Sequence, residues 1–475
     1  MAGSKSSLRR VLKLPCSIIT LLYGKTLYST CFDQWRKCFS NFCNSYSFCG
    51  VYILLGLYFV TWNVATKYPE QDIRHLLDFN QDDDENLPDM YIVGLQEVKA
   101  QPQNMVLDIF FEDPWTRSFR EALKKHDYVK IRTQRLQGLV LSVFSLRKHL
   151  THLRLIEAQY TRTGFGGMWG NKGAVSVRLN LYGVSVCIVN THLTPHDHLL
   201  ADRIADYNTI LKEHAFNAPD TPNILYHDYV FWIGDLNFRL AGEDLTAVDI
   251  DLLVKKSQLD LLMRRDQLKI AMETGEAFSE LTESEITFPP TYKYEFASQE
   301  FDLKRRPSWT DRILYKVNSD VYEDVKLKIN QINYKSHPCY VQSDHKPVTG
   351  EFDITIRPDV EDHGVEFQPL SAWFIDEENS VSYKLLGNYK PASGDWIGLF
   401  MDRFSNLDEY VVYEYVGRGK TTTMAEPNAI TERIFFSDTA LRAPGMYRLV
   451  YITQHDGIIG ILGISPPFPG HKRPA

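Results

Sequence analysis

Short apolar runs recur between residues 51 and 356, and several stop on a polar side chain instead of a turn residue. Tyr229 to Ile233 reads as a buried strand, and Gly234 then lets the backbone turn or pass close to another segment. Asp235 and Asn237 follow, two apart, so at a strand end both side chains should point the same way. Met90 to Val98, Leu139 to Leu146, Ala174 to Gly183 and Val184 to Leu193 read as further strands. The last two join at a hairpin over Leu181-Tyr182-Gly183. Tyr52 to Val60 reads as a buried first strand running into TWNV. Residues 196–214 place Leu200, Ile204, Tyr207 and Leu211 on one helical face, and 243–275 carry a second helical pattern. Glu351 to Ile356 closes this region before Pro358.

From 365 to 468 the pattern changes. Short β-like runs dominate (SVSYKLL, WIGLFM, EYVVYEYV, RIFFS, MYRLVYI, IIGILGI), separated by Gly, Pro, Asp and Asn. That texture predicts a small β-sandwich. It holds no cluster of charged residues or histidines that suggests catalysis, so a binding or targeting module is expected. Acidic residues Asp353, Asp359, Glu361 and Asp362 mark a linker between the regions. The expected organisation is an extension over 1–50, a catalytic domain over 51–356, a linker over 357–364, the sandwich over 365–468 and a tail over 469–475.

A chain of 475 residues is too long for one ordinary core, which agrees with that division. A formal charge of −8 argues against a general nucleic-acid binder but allows a local basic site. Five of the seven cysteines, Cys16, Cys31, Cys38, Cys43 and Cys49, fall in the first fifty residues, and none forms a C-x-x-C pair. Neither zinc nor a disulfide framework is indicated, and a reduced, intracellular setting is expected. Tyr46 to Val60 is almost wholly apolar, but at about fifteen residues it falls short of the ~20 that a spanning helix needs. A buried strand behind an extension is the expectation; anchoring by residues 1–60, or acylation of the clustered cysteines, is the alternative.

Candidate chemistry sits at the strand ends. TWNV supplies Asn63, GLQE supplies Glu97, NTHL supplies Asn190 and His192, and WIGDLN supplies Asp235 and Asn237. WTDRI supplies Asp311 and Arg312, and SDHKP supplies Asp344 and His345. Any one of these fits a turn that satisfies its own backbone. Six at separate places in one domain imply a shared site.

The residue types suit metal-assisted phosphoester hydrolysis. Glu97 and Asn63 are hard oxygen ligands of the kind Mg²⁺ accepts. Asp235 is placed to orient and deprotonate a water. Asn237, His192 and His345 can donate to phosphoryl oxygens as charge builds. Asp311 is the natural partner for His345, and Asp344 is either a further metal ligand or a second orienting acid. No Ser or Cys sits in a nucleophile elbow, so direct attack by water is expected. A basic set surrounds these acids: Lys172 in a glycine-rich loop, Tyr292 and Lys293 after Pro289-Pro290, and Lys304, Arg305 and Arg306. A basic rim around an acidic site suits a polyphosphorylated substrate.

The series TWNV, GLQE, GNKGAV, NTHL, WIGDLNFR, PPTYK, RPSWTDRIL and SDHKPV resembles the inositol polyphosphate 5-phosphatases of the endonuclease/exonuclease/phosphatase superfamily. The resemblance implies an α/β fold, a four-layer sandwich with Mg²⁺ at its crest. It implies that Glu97 and Asn63 serve the metal and that Asp235, Asn237, Asp311 and His345 are catalytic; the residue types add Asp344 as a candidate metal ligand and His192 as a candidate catalytic group. It implies that Tyr292 and Lys293 meet a 4-phosphate and that GNKGAV, with Asn171 and Lys172, meets the inositol ring; the basic residues Lys304, Arg305 and Arg312 are added as candidate substrate contacts by their charge. The loop Thr163 to Trp169 resembles the region that meets lipid chains. Residues 365–468 resemble a SKICH domain through DWIGLF, the Tyr-rich stretch 410–415 and GISPPF. Phosphatase followed by SKICH resembles the skeletal-muscle-and-kidney-enriched and proline-rich subfamily, and implies an immunoglobulin-like sandwich that directs the enzyme to membranes.

One departure concerns the PSW motif: Leu303 stands where the family carries a lysine, with Lys304 one step later. The expected activity is removal of the 5-phosphate from phosphatidylinositol 4,5-bisphosphate and 3,4,5-trisphosphate. Soluble inositol polyphosphates are further candidate substrates. The expected protein is a monomer that binds phosphoinositide lipids and no nucleic acid. It is expected in the cytoplasm, peripheral at the plasma membrane or endoplasmic reticulum. The rivals are a metal-dependent nuclease of the same superfamily and a non-catalytic membrane adaptor working through the SKICH domain.

Overall fold

The structure, a computed structural model, describes residues 53–79, 87–99, 112–164, 172–357, 364–387, 389–417, 421–426 and 429–473. The extension over 1–50, Asn171, most of the 163–169 loop and most of the linker lie outside the described residues. The chain divides into two compact units, Met1–Leu54 and Leu55–Ala475. Among the described residues no helix is long and apolar enough to cross a membrane.

The strands of the first region are, in order, β1 (Ile53–Asn63), β2 (Met90–Gln96), β3 (Tyr128–Leu136), β4 (Leu139–Leu146), β5 (Leu153–Arg162) and β6 (Gly173–Leu181). They continue as β7 (Val184–His192), β8 (Tyr229–Asp235), β9 (Asp311–Val317), β10 (Ile329–Ser336) and β11 (Val348–Ile356). The longer helices are α1 (Pro114–Lys124), α2 (Leu200–Glu213), α3 (Ala247–Lys255), α4 (Leu259–Met263) and α5 (Gln267–Thr274).

β1 is apolar almost without break because its two faces feed two cores. Leu55, Leu57 and Phe59 enter the core between the sheets, while Tyr58, Val60 and Trp62 pack outward. A strand buried on both faces needs no polar alternation. It lies inside a sheet of order β10-β11-β1-β2-β4-β3. α1 covers the outer face: Asp113 caps it by accepting from the Trp115 and Thr116 N–H groups, and Pro114 fits the first helical position. The helix then sets Trp115, Phe119 and Leu123 among the outward residues of β1.

The second sheet, β5-β6-β7-β8-β9, repeats the device. Tyr229, Phe231 and Ile233 of β8 face inward; Val230 and Trp232 face outward beside Tyr207 and Ile210 of α2. Phe59 stacks on Phe231 across the interior, ring centroids 4.5 Å apart. The result is helix, sheet, sheet, helix, the four-layer α/β sandwich. The helical pattern over 243–275 breaks into α3, α4 and α5. Thr246 and Asp249 form a capping box that starts α3; Asp266 caps α5, and left-handed Gly275 ends it.

The registers bring the strand ends together. β1 and β2 are parallel, with Asn63 opposite Gln96; β7 and β8 are parallel, with His192 opposite Asp235. Antiparallel β9 starts where β8 stops, Asp311 opposite Asp235. Beneath that crest, Gln96 Nε2 donates to Asn190 Oδ1 across the two sheets at 2.7 Å. Gly94 permits the approach: a Cβ there would lie 2.6 Å from Ile233 Cδ1 and 2.9 Å from Asn190 Cγ.

The second region is a β-sandwich. Its strands are β12 (Gly364–Phe367), β13 (Trp373–Phe374), β14 (Asn379–Leu386), β15 (Trp396–Met401) and β16 (Tyr410–Tyr415). Then follow β17 (Thr421–Glu426), β18 (Ala429–Phe436), β19 (Gly445–His455), β20 (Ile458–Ile464) and β21 (Phe468–His471). One sheet is β12-β14-β18-β17; β13, β21, β19 and β20 lie in the other, with β15 and β16 alongside. Along β19, Leu449 and Tyr451 enter the sandwich's own core, while Val450 and Ile452 enter the core of the first region. Phe400, Phe404, Leu407 and Ile461 join them there, with Ile156 of β5. Ile459 pairs with Ile156, which continues the β5 sheet into the sandwich. Lys130 of β3 donates its N–H to the Ser405 carbonyl at 2.8 Å. The sandwich therefore closes one side of the first region by meeting an edge strand of each sheet.

Candidate active site

Asn63 joins the two acids nearest the mouth. Its Nδ2 donates to Glu97 Oε1 at 3.1 Å and to Asp235 Oδ2 at 3.0 Å, while its Oδ1 accepts from the Ala65 N–H. Glu97 follows β2 in the left-handed region, φ 56°, a conformation costing roughly 1 kcal/mol or more for a residue with a side chain. That turn leaves its side chain 41% exposed, whereas Asp235 is buried. Gly234 is required before Asp235: its φ is 139°, and a Cβ would lie 2.1 Å from the Thr191 carbonyl oxygen.

Asn237 reaches Asp235 by a different route from the one its spacing suggested. The strand has ended, and Asn237 is left-handed at φ 56°. Its N–H donates to Asp235 Oδ1 at 3.1 Å, closing a turn on the acid, and its Nδ2 donates to the Leu193 carbonyl at 3.0 Å.

Behind them stands a buried dyad. His345 Nδ1 lies 2.9 Å from Asp311 Oδ2, and Nε2 lies 3.9 Å from Asp235 Oδ2. Thr291 and Thr310 each donate an Oγ1 hydrogen to Asp311 Oδ2, at 2.7 and 2.8 Å. Burial pushes the imidazole pKa down, but Asp311 and then Asp235 outweigh it and lift the value to about 9. His345 is held to β1 as well, since Trp62 Nε1 donates to its carbonyl and Ser343 Oγ donates to the Asn63 carbonyl.

On the other side, Lys172 Nζ lies 2.6 Å from His192 Nε2, which is 3.2 Å from Asp235 Oδ2. Burial and then Lys172 push the His192 imidazole below its ordinary pKa, against the pull of Asp235. Burial alone would raise Asp235, but His192, His345 and Lys172 hold its carboxyl well below the usual range.

The basic rim divides. Tyr292 packs its ring 4.4 Å from that of His345, and Lys293 Nζ lies 3.4 Å from Asp302 and 3.9 Å from Asp344. Asp344 thus has Lys293 within reach of its carboxylate. Lys304 and Arg305 are exposed on the same loop, as is Leu303. Arg312 does not reach the pocket. Neighbouring side chains on β9 point to opposite faces, so Asp311 enters the site and Arg312 leaves it. Its buried guanidinium pairs with Asp266 at 2.9 Å and Glu283 at 2.5 Å.

Two acid sets bear on a divalent ion. Asp235, Asp311 and His345 each offer an atom within 4.8 Å of the others. A protonated imidazole has no lone pair to give, so this trio suits proton handling. Glu97, half in solvent beside the Asn63 amide and the Asp235 carboxylate, offers hard oxygens with room for water, which suits a magnesium-like ion. Several residues that build the site were not singled out in the sequence: Thr291, Thr310, Ser343, Gln96 and Arg239. All five lie inside the quoted motifs, but their part is to hold other side chains, and spacing carries no signal for that.

Two family profiles match the chain: Endonuclease/Exonuclease/phosphatase family 2 over residues 60–351 and the SKICH domain over 365–470. Mouse inositol polyphosphate 5-phosphatase K is 35% identical, over 87% of this chain and 89% of its own. Mouse phosphatidylinositol 4,5-bisphosphate 5-phosphatase A is 35% identical over 86% of this chain, which spans 41% of that longer protein. The crystal structure of a synaptojanin 5-phosphatase domain, in complex with inositol (1,4)-bisphosphate and a calcium ion, is similar at TM-score 0.54 and 26% identity. It covers 69% of this chain and 92% of its own.

Proposed function

Since the chain belongs to the inositol polyphosphate 5-phosphatases, with a SKICH domain behind the phosphatase fold, we propose that it removes the 5-phosphate of phosphatidylinositol 4,5-bisphosphate and 3,4,5-trisphosphate by direct attack of water. Soluble inositol polyphosphates are further substrates in this reading. One observation carries it: a buried, ionised Asp235 lies between the Asn63–Glu97 pair on one side and a protonated His345 on the other.

Asp235 orients the attacking water and accepts its proton as the new P–O bond forms and the bond from phosphorus to the inositol 5-oxygen breaks, that oxygen leaving with a proton from solvent. His345, held by Asp311, and Asn237 donate to the phosphoryl oxygens as their charge grows. Glu97 would hold Mg²⁺, and Asn63 would join it through Oδ1, which here accepts from the Ala65 N–H while Nδ2 faces Glu97; such an ion when bound polarises the phosphoryl group and neutralises charge. Tyr292 and Lys293 recognise the neighbouring 4-phosphate, and Lys172 adds positive charge at the mouth. The protein acts as a monomer on membrane lipids, peripheral at the plasma membrane or endoplasmic reticulum, and the SKICH domain directs it there.

Phosphate release across a panel of phosphoinositides and soluble inositol phosphates tests this, with plasmid nicking run beside it. Release confined to substrates bearing a 5-phosphate, without nicking, is expected. Nicking without phosphate release would replace the proposal with the nuclease reading, and inactivity on every substrate would favour the adaptor.

A further inference from the structure

Arg239 closes the turn after β8. Its backbone is locked to the start of α5: its N–H donates to Gln267 Oε1 at 2.9 Å, and its carbonyl accepts from the Gln267 N–H at 2.9 Å. The side chain is buried and curls back two residues. Nε donates to the Asn237 carbonyl at 3.1 Å, and Nη2 donates to Asn237 Oδ1 at 2.6 Å. The guanidinium also lies 4.6 Å from the centre of the Tyr292 ring, and Tyr292 lies 4.4 Å from His345.

A guanidinium only donates, so only the oxygen of the Asn237 amide can face it. The Leu193 carbonyl only accepts, so only the nitrogen can face that side. The two neighbours agree on one orientation. Turned the other way, the amide would set N–H against N–H on Arg239 and lone pair against lone pair on Leu193. In the observed orientation one Nδ2 hydrogen is taken by Leu193 and the second remains for an oxygen in the site.

We propose that Arg239 is a positioning residue. It fixes which end of the Asn237 amide meets the scissile phosphoryl group, and it holds Tyr292 against His345. The proposal rests on the phosphatase reading. It also gives the specificity loop and the transition-state donors a common support: a loop that shifts at Tyr292 moves against Arg239 and His345 together.

The test is a double-mutant cycle with Arg239→Lys and Asn237→Ala, assayed on a short-chain phosphatidylinositol 4,5-bisphosphate. Lysine keeps the charge but lacks the planar fork and the stacking face. Arg239→Lys is expected to lower kcat about 30-fold with KM within about 3-fold, because misplacing a transition-state donor costs turnover more than binding. In the Asn237→Ala background the same change is expected to cost less than about 3-fold, since the amide it orients is gone. Thermal midpoints report folding separately. Losses that multiply in the double variant would overturn the proposal, as would a rise in KM at constant kcat, which would make Arg239 a substrate contact. A wild-type protein without turnover on any phosphoinositide would instead strike the phosphatase reading.

Discussion

The crest of the phosphatase fold and its seam with the SKICH domain are built on opposite terms. The crest buries Asp235, Asp311 and His345 and holds Glu97 and Asn237 in left-handed backbone. Asp311 Oδ1 is buried with no partner among the described residues. Each of these features costs stability, because buried charge and unsatisfied polar atoms are expensive away from water. The seam is apolar at its centre, where Phe400, Val450, Ile452 and Ile461 enter the phosphatase core beside Ile156. At its rim, Arg120 donates to Glu112, Ser405 and Glu409. The registers set the two apart. Lys130, which meets the SKICH loop, lies level with Tyr91 through Phe144, toward the end of the sheet away from Gln96. The difference teaches that this chain separates chemistry from stability in space: damage at the crest should remove activity and spare the fold, and damage at the seam should do the reverse.

The largest effect should come from Asp235→Asn. The amide keeps the shape and one acceptor oxygen but cannot take a proton, so kcat is expected to fall by about 10³-fold or more. The thermal midpoint should move by no more than a few degrees, because the amide keeps the shape and an acceptor oxygen while His345 keeps Asp311 as its counter-charge. A midpoint loss of about 10 °C would break the comparison, since it would make the crest carboxylate a structural keystone.

The converse change is Phe400→Ala at the seam. Phe400 is fully buried, its ring centroid 4.6 Å from that of Phe404. Emptying such a site costs about 3–5 kcal/mol. Urea unfolding should show the loss, while kcat per folded molecule stays within about two-fold, as expected for a residue outside the reacting groups. An unchanged urea midpoint would mean that the two domains merely touch. Deleting residues 365–475 is the harsher version and should leave a phosphatase fragment that aggregates, because Ile156 and the edge of β5 would lose the strand that pairs with them.

This division was half legible in the sequence. The crest could be read because polar side chains of one kind recur where apolar runs stop or start, and six such places in one domain imply a shared site. Asn63, Glu97, Asp235, Asp311 and His345 were found that way. Arg312 misled, because its place beside Asp311 says nothing about which face of β9 it takes. Asn237 arrived beside Asp235 through a left-handed turn, not through strand alternation. The seam left no distinct mark. Leu449, Val450, Tyr451 and Ile452 form one apolar run, and such a run announces burial on both faces without saying that the faces belong to different domains. The single helical pattern over 243–275 hid two breaks, one at 256–258 between α3 and α4 and one at 264–266, where Asp266 caps α5.

Acid should sharpen the comparison next. His214, His227 and His337 all lie in the phosphatase region, and burial pushes each down to about 4; Arg178 adds to this at His227 and Lys335 at His337. Their pKa in the unfolded chain is about 6.5, so the unfolded state binds more protons between the two values. The stability they permit is complete above about pH 6.5 and is lost as pH falls toward 4. In the SKICH region the buried groups Tyr383, Tyr389 and Tyr451 are pushed upward by burial, and they are silent in acid. Urea midpoints at pH 7 and pH 5 should therefore drop in a single transition, led by the phosphatase and shared across the seam. Two separated transitions, with only the phosphatase moving, would show that the seam does not couple the domains.

The smallest effect concerns the crest alone. Lys293 is about a quarter exposed, and its pairs with Asp302 and Asp344 at 3.4 and 3.9 Å are of the kind worth well under about 1 kcal/mol. Lys293→Ala should leave the thermal midpoint in place. Its cost should fall on substrate choice: about a ten-fold loss of kcat/KM on substrates with a 4-phosphate, and little on a 5-phosphate substrate lacking that group. Lys304→Ala should cost less, because Lys304 is exposed and stands one step past the position that Leu303 holds. If Lys304→Ala matched Lys293→Ala on the 4-phosphorylated lipid alone, the one-residue shift in this loop would have preserved the contact. If both variants lost activity equally on every substrate, neither would be reading the 4-phosphate, and the rim would act only through its total positive charge.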